Sequence, residues 1–216
     1  MKKSTMASQG MALTQIGQAV AHAVVDNGGT DEDTKRILSD EGLRNKIAKL
    51  ILEEVNVNAI LQLLSTSLII IVPACDGTQT IAQAKGTFLS DIDSNFKNWN
   101  LDNPGKETGE AGVQVHELVQ DATFSTMLGS LGVGSGLNKL CLTQHQIKAF
   151  CEQHSSWLRT AGYATFFLFK ENNEFFVARV RVRSDGLRVY VYRFEDAYVW
   201  DADFQHRFVV PQLGPQ

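Results

Sequence analysis

Tyr163-Ala-Thr-Phe-Phe-Leu-Phe-Lys170, Glu171-Asn-Asn-Glu174, Phe175-Phe-Val-Ala-Arg-Val-Arg-Val-Arg183, Ser184-Asp-Gly186 and Leu187-Arg-Val-Tyr-Val-Tyr-Arg-Phe194 follow one another without a break. Three runs of aromatic and β-branched residues alternate with residues that tolerate positive φ, so the stretch predicts a three-stranded antiparallel meander. A two-residue turn at Asp185-Gly186 sets Val182 opposite Val189 and Val180 opposite Val191. The same register puts Arg183 beside Arg188, Arg181 beside Tyr190 and Arg179 beside Tyr192. A one-residue slip would mix the two faces, so the alternation itself selects the register.

The first hairpin turns at Asn172-Asn173, which places Phe167 and Phe169 on the core face with Ala178 and Phe176. Its opposite face carries Phe166, Leu168, Phe175 and Val177, too apolar to stand in water. Something must cover that end, and the helix just upstream is the expected cover. Thr143 with Gln146 reads as a capping box, Leu142 with Ile147 as its hydrophobic staple. Ile147, Phe150, Cys151, His154 and Leu158 recur at helical spacing from about Gln144 to Leu158. Ala161-Gly162 then breaks the chain. The Arg–Tyr end of the outer face is left as the open surface.

At 216 residues, with 44% apolar and 20% charged residues, the chain fits one good-sized globular domain or a domain with an appendage. A net charge of -4 excludes a protein that coats nucleic acid over its whole surface. Gln144–Phe194 is nonetheless locally basic, and Glu195, Asp196, Asp201 and Asp203 follow it as a neutralising acidic stretch. Cys75, Cys141 and Cys151 form no CxxC and cannot all pair, which fits reduced thiols in the cytoplasm. Met1-Lys2-Lys3 lacks the apolar core of a signal peptide behind it. The most apolar stretch, Ile60 to Ala74, is interrupted by Gln62, Ser65, Thr66 and Ser67 and falls short of the ~20 apolar residues of a spanning helix. No membrane partner is expected.

The predicted organisation is a small helical N-terminal segment over 1–56 and an α+β domain over 57–216 that ends in the meander of 163–194. Leu13, Ile16, Val20 and Val24 form one helical face, ended by Asn27-Gly28-Gly29. Thr30-Asp-Glu-Asp33 opens a second helix, and Asp40 caps a third carrying Leu43, Ile47, Leu50 and Ile51. Further on, Leu68–Val72 reads as a buried strand or helix end, Thr80 as the cap of a helix through Ile81, Ala84 and Phe88, and Phe96 with Trp99 as a helical turn. Asp102–Gly112 reads as an exposed loop, Val113–Leu118 as a strand, and Asp121 as the cap of a helix through Phe124, Met127 and Leu128. Arg207–Pro211 reads as an edge strand, because Pro211 cannot donate to a ladder.

Several residue patterns invite a chemical reading. Asp76-Gly77-Thr78 after an apolar run matches part of the strand-end motif of haloacid-dehalogenase-type phosphotransferases, but Ala74 stands where the carboxylate nucleophile belongs. Cys75 near a helix start, with His116 as base, would make a cysteine-dependent hydrolase; a buried thiol is the commoner situation. Cys141, His145, Cys151 and His154 suggest zinc, yet His145 and His154 point in opposite directions on one helix, so no metal is expected. Gly129, Gly132, Gly134 and Gly136 do not spell a phosphate loop. Nothing in the sequence calls for a cofactor. On the Arg–Tyr face, Tyr190 and Tyr192 would stack on bases while Arg179, Arg181, Arg183 and Arg188 engage phosphates. The competing account is a solvated sheet face whose charges blunt aggregation.

Val72-Pro-Ala-Cys-Asp-Gly-Thr-Gln-Thr-Ile-Ala-Gln-Ala-Lys85, Phe96-Lys-Asn-Trp-Asn-Leu101, Leu140-Cys-Leu-Thr-Gln144, Trp157 to Lys170 and Val209-Val-Pro-Gln-Leu213 resemble an uncharacterised protein family of uncultured small-genome (candidate-phylum) bacteria. The resemblance covers most of Leu68–Leu213 and implies a recurrent domain, with no activity attached, while the helical segment varies independently. A well-specified fold without a catalytic constellation leads to the expectation of a non-enzymatic intracellular binding or interaction module, its partner left open between a protein and single-stranded nucleic acid. The alternatives are single-stranded nucleic-acid binding on the Arg–Tyr face and a Cys75-dependent hydrolase.

Overall fold

The computed structural model describes residues 18, 21–22, 24–26, 28–43, 59–66, 69–132 and 136–212. The chain divides into two compact units, Met1–Val57 and Asn58–Gln216. In the first, the helical residues 24–26 end where Gly28 and Gly29 donate to the Val25 and Val24 carbonyls at 2.9 and 2.8 Å. Helix α1 (Asp31–Ser39) starts in a capping box: the Thr30 hydroxyl accepts from the Asp33 N–H, and the Asp33 carboxylate accepts from the Thr30 N–H. Asp40 accepts from the Leu43 N–H at 3.0 Å and opens the next helical turn. The expected positions of Leu13, Ile16, Val20, Ile47, Leu50 and Ile51, and the boundary near residue 56, lie outside the described residues.

The second unit is α+β. Its strands are β1 (Leu61–Leu63), β2 (Ile70–Val72), β3 (Asp91–Ile92), β4 (Ala111–Leu118), β5 (Ala164–Glu171), β6 (Glu174–Arg183), β7 (Gly186–Arg193) and β8 (Arg207–Pro211). They form one eight-stranded sheet in the order β1-β4-β8-β5-β6-β7-β3, with β2 also paired to β4. The sheet is mixed, whereas the sequence suggested an antiparallel meander on helices: β5–β8 and β3–β7 are parallel. The meander β5–β6–β7 itself is antiparallel and sits inside this larger sheet.

The turn of the first hairpin falls on Asn172 and Asn173, both at positive φ, and Phe167 pairs with Ala178 and Phe169 with Phe176 as the alternation requires. The second hairpin is shifted. Its turn is Ser184-Asp185, Arg183 pairs with Gly186, Val182 with Leu187, Val180 with Val189, Arg181 with Arg188 and Arg179 with Tyr190. The shift from the expected pairing is by two, so every side chain keeps its face while each loses its expected partner. Gly186 belongs to the strand at φ +124, and a Cβ there would come within 2.7 Å of the Leu89 Cβ. That glycine admits the segment leading into β3 instead of making the turn.

β8 also departs from expectation. It lies between β4 and β5 in the middle of the sheet. Phe208, Val209 and Val210 are consecutive and all buried, the mark of a strand covered on both faces, and Pro211 sits at its last position.

Each face of the sheet carries its own core. On one, Phe167, Phe169, Phe176, Ala178, Val180, Val189, Val191 and Val209 pack with Val72, Phe88, Phe96 and Leu101 and with Ile147, Phe150 and Cys151 of α4 (Gln144–Gln153), counting α2 (Asn95–Asn98) and α3 (Phe124–Gly129) before it. On the other, Phe166, Leu168, Val177, Phe208 and Val210 pack with Leu118, Phe124, Met127, Leu128 and Trp200. The outer-face phenylalanines are thus covered by α3 and the Trp200 segment; α4, the expected cover, lies on the opposite face. Burying one such phenylalanine contributes about 2–3 kcal/mol.

The helices begin where local chemistry lets them. Thr143 caps α4 in the expected box, with Gln146 accepting from the Thr143 N–H at 2.9 Å, and the helix stops at Gln153, short of Leu158. α3 is capped by Thr123, because Asp121 accepts from the Ala202 N–H. The Thr80 segment makes only a 3₁₀ turn at Ile81–Gln83 without a side-chain cap. The Ile81 N–H goes to the Gln144 side chain at 3.1 Å, which ties this turn to α4.

Candidate functional site

The residues singled out by sequence fall into separate places. His116 pairs with Phe208 and so projects to the Phe166 face, whereas Cys75 belongs to the core on the Phe167 face. The sheet lies between them. Burial pushes the Cys75 thiol up, and it donates to the Pro73 carbonyl at 3.3 Å. Burial alone takes His116 down to about 4. Neither a thiolate nor a base within reach of it is assembled there.

The four side chains grouped as zinc ligands also go to separate partners. Cys141 donates to the Leu137 carbonyl, Cys151 is packed in the core, His154 Nε2 lies 2.7 Å from the Ile71 carbonyl, and His145 Nδ1 lies 3.1 Å from Asp76. Among the described residues, no group of three or more His, Cys, Asp or Glu is placed to hold a metal ion.

The Arg–Tyr strip is brought together but turned largely to internal use. Arg179 donates to the Tyr192 hydroxyl at 3.0 Å and lies 4.9 Å from the Trp200 ring centroid and 5.8 Å from that of Tyr190. Arg181 donates to the Gly162 carbonyl at 2.6 Å. Arg188 is paired with Asp91 at 2.9 Å and lies 4.6 Å from the Tyr190 ring centroid. Cation–π contacts of this kind are worth ~0.5–2 kcal/mol, more as they leave water. Both Tyr rings are therefore engaged, and Arg183 alone among the four arginines is exposed. Desolvation, then Arg179 and Arg183, hold the Arg181 guanidinium below its ordinary pKa, a sign of crowded positive charge.

Two polar groups in this corner lack partners. Arg179 Nε and Trp200 Nε1 are buried with none. His206 completes the cluster: its Nδ1 accepts from the Ala164 N–H at 3.2 Å, and burial, with Arg179 second, lowers it to about 4.

The sequence reading missed a cleft of about 560 Å³. Four segments meet there: Gly77 and Gln79, the loop from Asn103 to Lys106, the start of α4 at Thr143–His145, and the β5–β6 turn from Lys170 to Asn173. Gly77, at φ +76, makes the convergence possible, since a Cβ there would strike the Lys106 carbonyl; the Gly105 N–H donates to the Gly77 carbonyl at 2.9 Å. Asp76 is held by the N–H and hydroxyl of Thr78, which with His145 keep its carboxyl below the usual range. Glu171 is half-buried in the wall and pushed up by that burial. Lys170 donates to Asn138 at 3.0 Å, and Gln144 donates to the Leu101 carbonyl at 2.6 Å. The result is a polar, pre-formed recess carrying Lys106, Lys170, His145 and Glu171. The capping box and the Asn-Asn turn each announced one wall, but nothing local announced that they meet.

Comparison of the chain with protein families, curated proteins and solved structures finds no match. Among the described residues, no helix is long and apolar enough to cross a membrane.

Proposed function

We propose that the α+β unit is a non-enzymatic intracellular binding module that holds a small polar ligand in the cleft at the start of α4. One observation carries this reading: four distant segments are fastened together around a recess of about 560 Å³ lined by both cationic and carboxyl side chains. Preformed concave sites with a few convergent polar groups are where small ligands bind. Three free cysteines favour a reducing compartment. The nucleic-acid reading has less support, because Tyr190 and Tyr192 are engaged by arginines and Trp200. The cysteine-hydrolase reading has less still, because Cys75 and His116 project to opposite faces.

The test is a thermal-shift screen of small polar metabolites against the full chain and Lys106→Glu. At least one compound should raise the melting temperature of the wild type and lose most of that effect in the variant. A screen in which no compound shifts the wild type, or in which every shift survives the substitution, overturns the assignment.

A further inference from the structure

β7 offers a second binding surface on its outer edge. Its even-numbered residues face β6, as the Phe194 N–H to Phe175 carbonyl bond at 3.1 Å fixes, so Leu187, Val189, Val191 and Arg193 turn their backbone groups outward. β3 satisfies the first of these: Ser90 donates to Leu187 and Asp93 to Val189, at 3.0 and 2.9 Å. There β3 leaves, because Asp93 caps the turn into α2 by accepting from the Asn95 N–H at 2.9 Å. The other oxygen of Asp93 takes the Val191 N–H at 3.3 Å, standing where the next strand carbonyl would be. At the far end the Arg193 carbonyl is taken by the Asp196 N–H at 3.1 Å. Beyond β3, the Val191 carbonyl and the Arg193 N–H have no backbone partner among the described residues.

Those two groups select an orientation. In an antiparallel ladder one partner residue exchanges both bonds with a single residue, but Val191 has lost its N–H and Arg193 its carbonyl. In a parallel ladder one partner residue donates to position i and accepts from position i+2, and here both positions are open. The edge fits a strand parallel to β7, continuing the direction of β3.

A groove of about 510 Å³ runs along this edge, lined by Asp93, Asn95, Trp99, Arg193, Glu195 and Asp196 among others. Its one cation is already used, since Arg193 binds Glu174 at 2.6 Å and lies 5.1 Å from the Trp99 ring centroid. None of the three carboxylates has an ion-pair partner among the described residues. We propose that this edge is a docking site for an extended, lysine- or arginine-bearing segment of a partner protein, added to the sheet parallel to β7. It uses none of the residues of the cleft, so its failure and the failure of the cleft assignment are separate results.

The experiment measures fluorescence anisotropy of the full chain with a labelled Lys-Val-Lys-Val-Lys-Val-Lys peptide at low salt. Three comparisons accompany it: the same peptide N-methylated at alternate residues, the Glu-Val counterpart, and the chain carrying Glu195→Lys and Asp196→Lys. Binding of the first peptide should weaken at least about tenfold on N-methylation and about tenfold on charge reversal, with unchanged thermal unfolding of the variant. The Arg193 amide resonance should shift on binding. Equal binding of the N-methylated peptide would mean charge attraction without strand addition, and equal binding of the Glu-Val peptide, or none of the basic one, would likewise sink the proposal.

Discussion

The two faces of the sheet are built from the same strands yet hold together differently. Behind Phe167 the core is mostly aliphatic and phenylalanine, closed by α4 with β2, α2 and the segments around Phe88 and Leu101. Behind Phe166 it is aromatic and polar-tipped: Trp200 touches Phe124, Phe166, Tyr192, Tyr198 and His206, with Arg179 over its ring. Each face is closed by a helix with other segments beside it: the ten-residue α4 on the first, the six-residue α3 with the Trp200 segment on the second. An alternating strand reports that both faces are apolar but not which helix goes to which: both helices are legible in the sequence, and α4 is found on the face opposite to the one expected.

The sharpest way to break this comparison is to cut one phenylalanine from each face. Phe166→Ala and Phe167→Ala should each cost ~3–5 kcal/mol in urea unfolding, since both side chains are fully enclosed. A loss under about 1 kcal/mol for Phe166→Ala would mean that the outer face is open and that α3 and the Trp200 segment do not close it.

The next test uses pH, because the two buried histidines, His116 and His206, both sit on the Phe166 face. His116 and His206 are held neutral in the folded chain, at about 4 against an ordinary 6.5. The unfolded chain takes up protons first as pH falls, so stability is fully present above about 6.5 and drains away toward 4. For His116 the loss is on the order of 2–3 kcal/mol, and His116→Gln should flatten that part of the profile in chemical denaturation. Arg179→Met should raise the His206 pKa, followed by NMR of the imidazole, because Arg179 is its second depressing influence after burial.

The smallest expected effect sharpens the other side. Thr143→Ala removes the hydroxyl half of the capping box and should cost about 1 kcal/mol. It acts on the Phe167 face and on the rim of the cleft together, so ligand-induced thermal shifts should fall in parallel.

The features read correctly from the sequence were those whose cause is local. The Thr143 box, the Asn172–Asn173 turn and the side-chain faces of the meander depend on neighbours within a few residues. The misreadings have a different origin. Asp185-Gly186 is a strong turn signal, but Gly186 answers to Leu89, far away in the chain. Asp121 suits a helix cap, but Ala202 claims it. Pro211 suggested an edge, although Phe208-Val209-Val210 already carried the signature of a strand buried on both sides. The cleft was invisible for the same reason, since its walls come from four segments with no shared pattern.

β8 has one more consequence. It joins β1, β2 and β4 to the β5–β6–β7 block, and it follows all of them along the chain. During synthesis the ribosome delivers β7 before β8, and at ordinary elongation rates the interval from Arg193 to Pro211 lasts roughly one to four seconds. Over that interval β4 and β5 each wait with an unpaired edge, and β5 has six consecutive buried positions, five of them apolar. The nascent domain is therefore two half-sheets awaiting their central stave, and this is when it is most exposed to mispairing and to capture by chaperones.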